Sequence, residues 1–237
     1  TEVPMEAIQR VCGGLLKDKT VVVPGLLFID TPGHRAFTTL RSRGSSLADL
    51  AVLVIDVMGG VQPQTVESLE ILRKYRTPFV VAANKIDLID GWISRKGESF
   101  LKSYNSQSER AKEGLDRRVY EIVGELTKHG FSSERYDRVR DFARNVCIVP
   151  VSAKTGEGIP DLLAVLIGLS QRFLKDELYI DERREGRGTV LEVKEERGMG
   201  TTIDVILWDG ELAVGDTIVV AGEGGPLVTK VRAILRP

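Results

Sequence analysis

The chain has 237 residues, 42% of them hydrophobic and 28% charged, which is typical of globular proteins and argues against a disordered or collagen-like chain. Its 33 basic and 34 acidic side chains give a formal charge of -1, so no overall basic excess indicates nucleic acid or an acidic membrane as a partner. Two cysteines are too few for a disulfide framework, and no apolar run approaches the roughly 18 residues of a membrane-spanning helix.

Short apolar runs alternate with helical patterns along the first three quarters of the chain. The runs are continuous rather than alternating, which is typical of strands covered by helices on both faces of a mostly parallel sheet. The predicted strands lie at 26–30, 50–56, 78–84 and 146–152. The predicted helices lie at 35–44, 62–76, within the charged segment 106–144, and at 161–174.

The pattern changes after a charged linker at 175–186. Short strand-like runs separated by glycine-bearing turns follow, and this spacing predicts a small antiparallel β-barrel. We therefore expect an α/β domain over residues 1–178 and a β-barrel domain over 186–237 that is itself incomplete.

The first predicted strand ends in Asp30-Thr31-Pro32-Gly33-His34. A carboxylate at a strand end can hold Mg²⁺ directly or through water, and the backbone N–H of a glycine can approach an anion closely. On its own, this motif is equally consistent with a simple Pro-Gly turn.

The third predicted strand ends in Asn84-Lys85-Ile86-Asp87. The carboxylate of Asp87 can accept two N–H bonds from one edge of a ring, a pair that guanine offers and adenine lacks. Asn84 can join neighbouring loops, and the Lys85 stem can lie along the plane of a base. As an isolated polar strand end, the motif is a weak signal.

The fourth predicted strand ends in Ser152-Ala153-Lys154. The small residue there lets a backbone N–H reach a ring carbonyl such as guanine O6, although the tripeptide alone is a common loop. The strength of the prediction lies in the order and spacing of the three motifs. Ligands bind beyond the carboxyl ends of strands in open α/β sheets, and each motif stands at such an end.

DTPGH, NKID and SAK resemble the third, fourth and fifth signatures of translational GTPases. The stretch from LLFIDTPGH to NKIDLIDGW, the charged insertion containing GFSSERYDRVRDFA, and VSAKTGEGIPDLL are similar to the initiation factor 5B family. That family is the archaeal and eukaryotic relative of bacterial initiation factor two. The resemblance implies a P-loop NTPase-like translational GTPase domain followed by the β-barrel.

The resemblance also implies a role for each motif residue. His34 would position the water that attacks the γ-phosphate. Asp30 would hold Mg²⁺ through water, and the N–H of Gly33 would contact the γ-phosphate. The residues that would hold guanine are Asn84, Lys85, Asp87, Ser152, Ala153 and Lys154.

The family implies GTP, GDP and Mg²⁺ as cofactors of a monomeric, cytoplasmic factor that does not contact a membrane. Its partners would be both ribosomal subunits, initiator tRNA and initiation factor 1A. The barrel would dock on the small ribosomal subunit.

One departure from the family is large, because the phosphate loop G-x-x-x-x-G-K-[ST] is not found. The nearest match, GGLLKDKT at 13–20, carries Asp18 where the second glycine belongs, and a carboxylate there repels phosphate. The opening TEVP resembles the end of the first switch of the family. We therefore expect a fragment of a GTPase that lacks its phosphate loop and binds nucleotide weakly by itself.

Two other functions remain open at this point. A chain without a phosphate loop could be a degenerate module that only docks on the ribosome or on a partner. It could also be another translational GTPase, such as an elongation or selenocysteine factor. Arginines at 135, 138, 140 and 144 could contact RNA, but their mixed-charge segment favours a solvated helix face. Trp208 is expected in the core of the barrel.

Overall fold

The computed structural model describes residues 1–16, 21, 23–31, 48–173 and 184–235. The chain divides into two compact units, Glu2–Lys175 and Asp176–Pro237, the second of which also includes Thr1. In the described residues, no helix is both long and apolar enough to cross a membrane.

The first unit contains both helices and strands. In order they are β1 Glu2–Pro4, α1 Met5–Cys12, β2 Gly25–Leu27, β3 Ala51–Asp56, α2 Pro63–Tyr75, β4 Phe79–Asn84, α3 Phe100–Asn105, α4 Glu109–Lys128, β5 Ser133–Arg135, β6 Val146–Pro150 and α5 Ile159–Phe173. Short 3-10 turns lie at Gly13–Leu15 and Ile86–Leu88.

Four strands form one parallel sheet in the order β3-β4-β6-β5. Alternate residues of β4 pack into different core clusters: Val81 and Ala83 join the one that contains α4, and Val80 and Ala82 join the one that contains α5. Helices therefore cover both faces of the sheet, as the continuous apolar runs predict. The α/β fold class is confirmed.

The helices begin and bury their apolar faces where the sequence indicates. α2 starts with Pro63 at its first position, and the side chains of Gln62 and Thr65 form a capping box. The hydroxyl of Ser108 caps α4 by accepting the N–H of Ala111. The buried residues of α4 recur every three or four positions and face the sheet; they are Ala111, Leu115, Val119, Ile122 and Leu126.

The prediction for 26–30 is wrong in its extent and in its partner. The strand there is β2, which covers Gly25–Leu27 and pairs antiparallel with β1 instead of joining the parallel sheet. A Cβ at Gly25 would lie 2.7 Å from the carbonyl oxygen of Val3, so only glycine allows this close backbone approach. Leu27 is also 53% exposed, so the apolar run predicted a strand here but neither its burial nor the strand with which it pairs.

The arginine-rich segment that follows α4 is not helical and its Arg135 is buried, so the expected helix face is wrong, although Arg138, Arg140 and Arg144 are exposed as expected. Arg135 lies on the edge strand β5 and is only 2% exposed. Its guanidinium pairs with Asp137 at 2.6 Å and with Asp116 at 2.5 Å, and lies 4.3 Å from the ring centre of Tyr104. Arg138 also pairs with Asp116, at 2.8 Å. These arginines hold the insertion together.

The second unit contains two antiparallel hairpins. Its strands are β7 Arg187–Glu196, β8 Gly200–Asp209, β9 Thr217–Gly222 and β10 Gly225–Lys230. Within residues 184–235, β7 pairs with β8 and β9 with β10 in separate sheets, so antiparallel strands are confirmed while the barrel remains a prediction. Trp208 is 49% exposed and donates its indole N–H to Thr189, which contradicts its expected place in a core.

Candidate nucleotide-binding site

The carboxyl ends of three parallel strands meet at one edge of the sheet. Asp56, the last residue of β3, stands opposite Asn84, the last residue of β4. The turn that follows β4 is joined to the end of β6 by the N–H of Ile86, which donates to the carbonyl of Val151 at 3.2 Å. The polar residues after β4 and after β6 therefore come together, as expected for the ligand edge of a parallel sheet.

Asn84 joins the two loops through a single oxygen. Its Oδ1 accepts the N–H of Lys85 at 2.8 Å and the N–H of Ala153 at 2.9 Å. The bond to Lys85 stabilises an uncommon turn, since Lys85 has a φ of 71° in the left-handed region. Asn84 therefore holds the loop after β4 against the loop after β6.

A second tie joins Asp87 to Ser152. The hydroxyl of Ser152 donates to Oδ1 of Asp87 at 2.6 Å and itself accepts the N–H of Thr155 at 3.3 Å. Ser152 is fully buried, whereas Asp87 is partly exposed. In the part of the chain that the structure describes, Oδ2 of Asp87 has no hydrogen-bond partner. One carboxylate oxygen is thus fixed, and the other can accept hydrogen bonds from a ligand.

Asp56 belongs to the site but was not among its predicted residues. Its Oδ2 pairs with the Lys85 ammonium at 2.6 Å, and its Oδ1 accepts the N–H groups of Met58 at 2.8 Å and Gly59 at 3.3 Å. Burial raises the pKa of Asp56, but these hydrogen bonds and the lysine charge outweigh it and lower the pKa below its usual value. The sequence did offer a signal for Asp56, because it stands at the end of an apolar run, as the other predicted site residues do.

The remaining predicted residues are not part of this hydrogen-bonded group. Lys154 is exposed, next to Ala153. Asp30 is also exposed and lies three residues beyond the end of β2. Gly33 and His34 lie outside the described residues. Among the residues that are described, no three His, Cys, Asp or Glu side chains are grouped as metal ligands.

Comparison with known proteins identifies the family to which this site belongs. Residues 21–172, which include both loops, match the family of the elongation factor Tu GTP binding domain. The chain belongs to this family. The fold expected of a translational GTPase domain is therefore confirmed.

Archaeal relatives match the chain over its whole length. The chain is 63% identical over its whole length to a probable translation initiation factor IF-2 of Methanococcoides burtonii, and it covers 40% of that protein. It is 56% identical over its whole length to the same factor of Archaeoglobus fulgidus, again covering 40%. The chain thus spans about two fifths of the length of these relatives.

Two solved structures resemble the chain to different degrees. The crystal structure of GDP-bound aIF5B from Aeropyrum pernix is 50% identical with a TM-score of 0.91, and the match covers 98% of this chain and 39% of that one. A bacterial selenocysteine-specific elongation factor is 22% identical with a TM-score of 0.55, and the match covers 95% of this chain and 35% of that one. The second likeness shows the fold alone. The resemblance to the initiation factor 5B branch is confirmed.

Proposed function

We propose that this chain is the guanine-recognising part of a translation initiation factor that binds and hydrolyses GTP. The observation that carries the proposal is the pair of side-chain ties between the two loops, from Asn84 to Ala153 and from Ser152 to Asp87. The likeness to archaeal IF-2 and to GDP-bound aIF5B supports the same function. A degenerate docking module would have no physical need for these ties at the ligand edge.

The arrangement fits the hydrogen-bonding edge of guanine that carries N1, N2 and O6. Oδ2 of Asp87 would accept the N1–H and the N2 amino group of the base. The N–H of Ala153 is already bonded to Asn84, so the neighbouring backbone N–H of Lys154 would donate to O6. Adenine carries an acceptor at position 1, so its binding would leave the Asp87 carboxylate without hydrogen-bond donors. The site should therefore discriminate strongly against adenine nucleotides.

The ammonium of Lys85 is held by Asp56 at the edge of the sheet. This anchor would direct the apolar stem of Lys85 along the face of the base. The pair is partly exposed, so we assign it a role in orientation rather than in stability.

The phosphate side of the proposed site rests on the family resemblance. His34 would position the attacking water, and the N–H of Gly33 would contact the γ-phosphate. The exposed carboxylate of Asp30 fits Mg²⁺ held through water, because Mg²⁺ in such sites uses one or two carboxylates together with phosphate oxygens. The ion would neutralise the charge on the transferred phosphoryl group.

The partners follow from the same proposal. We assign to the whole factor both ribosomal subunits, initiator tRNA and initiation factor 1A, and a monomeric, cytoplasmic state without membrane contact. Residues 1–178 would form the GTPase domain, and residues 186–237 the β-barrel that docks on the small subunit.

A substitution of Asp87 that should change which base is bound tests the proposal. Xanthine carries a carbonyl where guanine carries the N2 amino group, so Asp87→Asn should reverse the preference from guanine to xanthine nucleotides by presenting a donor in place of an acceptor. The assay measures GTP and XTP hydrolysis by the Methanococcoides burtonii factor after its matched segment is replaced by residues 1–237. Asp90→Asn, in which an exposed carboxylate of the same loop is changed, is the control. Equal loss of both activities in Asp87→Asn would contradict the assignment.

A further inference from the structure

Glu157 is the most completely buried carboxyl group in the described residues, with 0% of the residue exposed. It lies in the loop between β6 and α5, five residues after Ser152. The groups that donate to it are the indole N–H of Trp92 at 3.1 Å, the backbone N–H of Arg95 at 3.3 Å, the hydroxyl of Thr155 at 3.5 Å and the hydroxyl of Ser103.

Three of these donors come from one segment of the chain, residues 92–103, which follows the turn after β4 and enters α3. The backbone joins the same two stretches, because the N–H of Gly97 donates to the carbonyl of Thr155 at 2.9 Å and the N–H of Gly158 donates to that of Glu98 at 3.0 Å. Segment 92–103 therefore packs against residues 155–158 of the loop that carries Ser152 and Ala153.

Glu157 also connects directly to the guanine-recognising residues. Its carbonyl accepts the N–H of Ser152 at 2.8 Å in an antiparallel bridge. Ser152 in turn holds Asp87, while Ala153 is held by Asn84. A displacement of Glu157 would thus move the hydroxyl that fixes the carboxylate and the backbone N–H groups beside it.

We propose that Glu157 is a positioning residue that uses segment 92–103 as a rigid support for guanine recognition, an inference that rests on the proposed binding of guanine nucleotides. A loop with few fixed contacts opens locally at little cost, and a buried acceptor held by several donors raises that cost. The insertion after NKID thereby determines how firmly the base is held, although it does not contact the base.

Three substitutions break the support at different atoms. Glu157→Gln keeps the size of the side chain but replaces one acceptor oxygen by an amino group that faces donors. Trp92→Phe removes the indole donor, and Ser103→Ala removes the hydroxyl donor. Matched controls change the same chemistry elsewhere: Glu121→Gln on the surface of α4, Trp208→Phe in the second unit, and Ser68→Ala in α2, whose hydroxyl donates to the carbonyl of Gln64.

The first readout is amide hydrogen exchange of the nucleotide-free 237-residue chain. We expect exchange at 152–155 to rise about tenfold in Glu157→Gln, and less in Trp92→Phe and Ser103→Ala, with exchange in α4 unchanged. If Glu157→Gln unfolds the unit, exchange rises in α4 as well, and the two milder variants then decide. Exchange at 152–155 equal to that of the controls in all three variants would overturn the proposal.

The second readout is base discrimination, measured by titration with GDP and 6-thio-GDP. The thio analogue keeps the N1–H and the N2 amino group that would donate to Asp87, and it replaces O6 by sulfur, which is a weaker hydrogen-bond acceptor. We expect Glu157→Gln to lower the affinity for GDP about tenfold and to narrow its preference over 6-thio-GDP. An unchanged preference would count against a positioning role. If the unsubstituted chain bound GDP no better than ADP, the proposed function would fail, whereas hydrogen exchange would still decide the role of Glu157.

Discussion

Gly158 offers a stringent test of how the loop after β6 is built. It has a φ of 74°, and a Cβ placed on it would overlap the carbonyl oxygen of Pro150 and lie 3.1 Å from the Cα of Val151. Because both obstacles are backbone atoms, no side-chain rotation can relieve the overlap. Gly158→Ala should therefore force the start of α5 away from the end of β6.

The magnitude follows from two costs. A left-handed backbone costs alanine about 1–2 kcal/mol. The shift would break the bond from the Gly158 N–H to Glu98 and the bond from the Leu162 N–H to Gly158, both 3.0 Å long. Each is worth about 1 kcal/mol net, so we expect a loss of about 3–4 kcal/mol in the free energy of unfolding of the first unit.

The assay is urea unfolding followed by tryptophan fluorescence in a Trp208→Phe background, where Trp92 reports on the first unit alone. The control is Gly124→Ala on the exposed face of α4, where a Cβ meets no atom within 4 Å. That change should stabilise the unit by up to about 1 kcal/mol. A loss in Gly158→Ala of under about 1 kcal/mol would refute the backbone argument.

Three further predictions concern ionisable groups. Because the folded-state pKa of Asp56 is lowered, the contribution of this carboxylate to stability is complete at neutral pH and is lost as the pH falls below about 4. The urea midpoints of Asp56→Asn and of the unsubstituted chain should therefore converge as the solution is acidified. A difference that stays constant with pH would contradict this prediction. Burial raises the pKa of both Cys12 and Cys147 to about 11, so neither thiol should react with a disulfide reagent at pH 8 until urea unfolds the chain. Arg135→Met should cost about 1–3 kcal/mol, because it removes the charged hydrogen bonds to Asp137 and one of the two arginine partners of Asp116. The exposed Arg117→Met should change urea stability by under about 0.5 kcal/mol, and equal effects would show that the Arg135 pairs do not stabilise the insertion.

Local pattern was enough to predict β3, β4 and β6 and the helices α2 and α5. Continuous apolar runs mark buried strands, and Pro63 marks a helix start, so neither needs knowledge of distant partners. The same logic failed at 26–30, because the antiparallel pairing of β2 with β1 depends on how closely Gly25 lets another strand approach.

The site was predictable where a residue's chemistry depends on its place at a strand end, as for Asn84 and Asp87. Residues that act through long-range contacts were not predictable. Arg135 stands in a mixed-charge segment typical of a solvated surface, and its burial depends on Asp116 in α4, 19 residues away. Glu157 stands in a polar loop, and only the fold brings Trp92 to it across 65 residues.

We propose above all that the loops after β4 and β6 together recognise guanine. The most direct measurement is NMR titration of the 237-residue chain with GDP and with ADP, following the backbone amides of both loops. We predict saturable shifts at Asn84–Asp87 and Ser152–Thr155 with GDP, and none of comparable size with ADP. Equal shifts with both nucleotides, or GDP-induced shifts confined to other parts of the chain, would contradict the account.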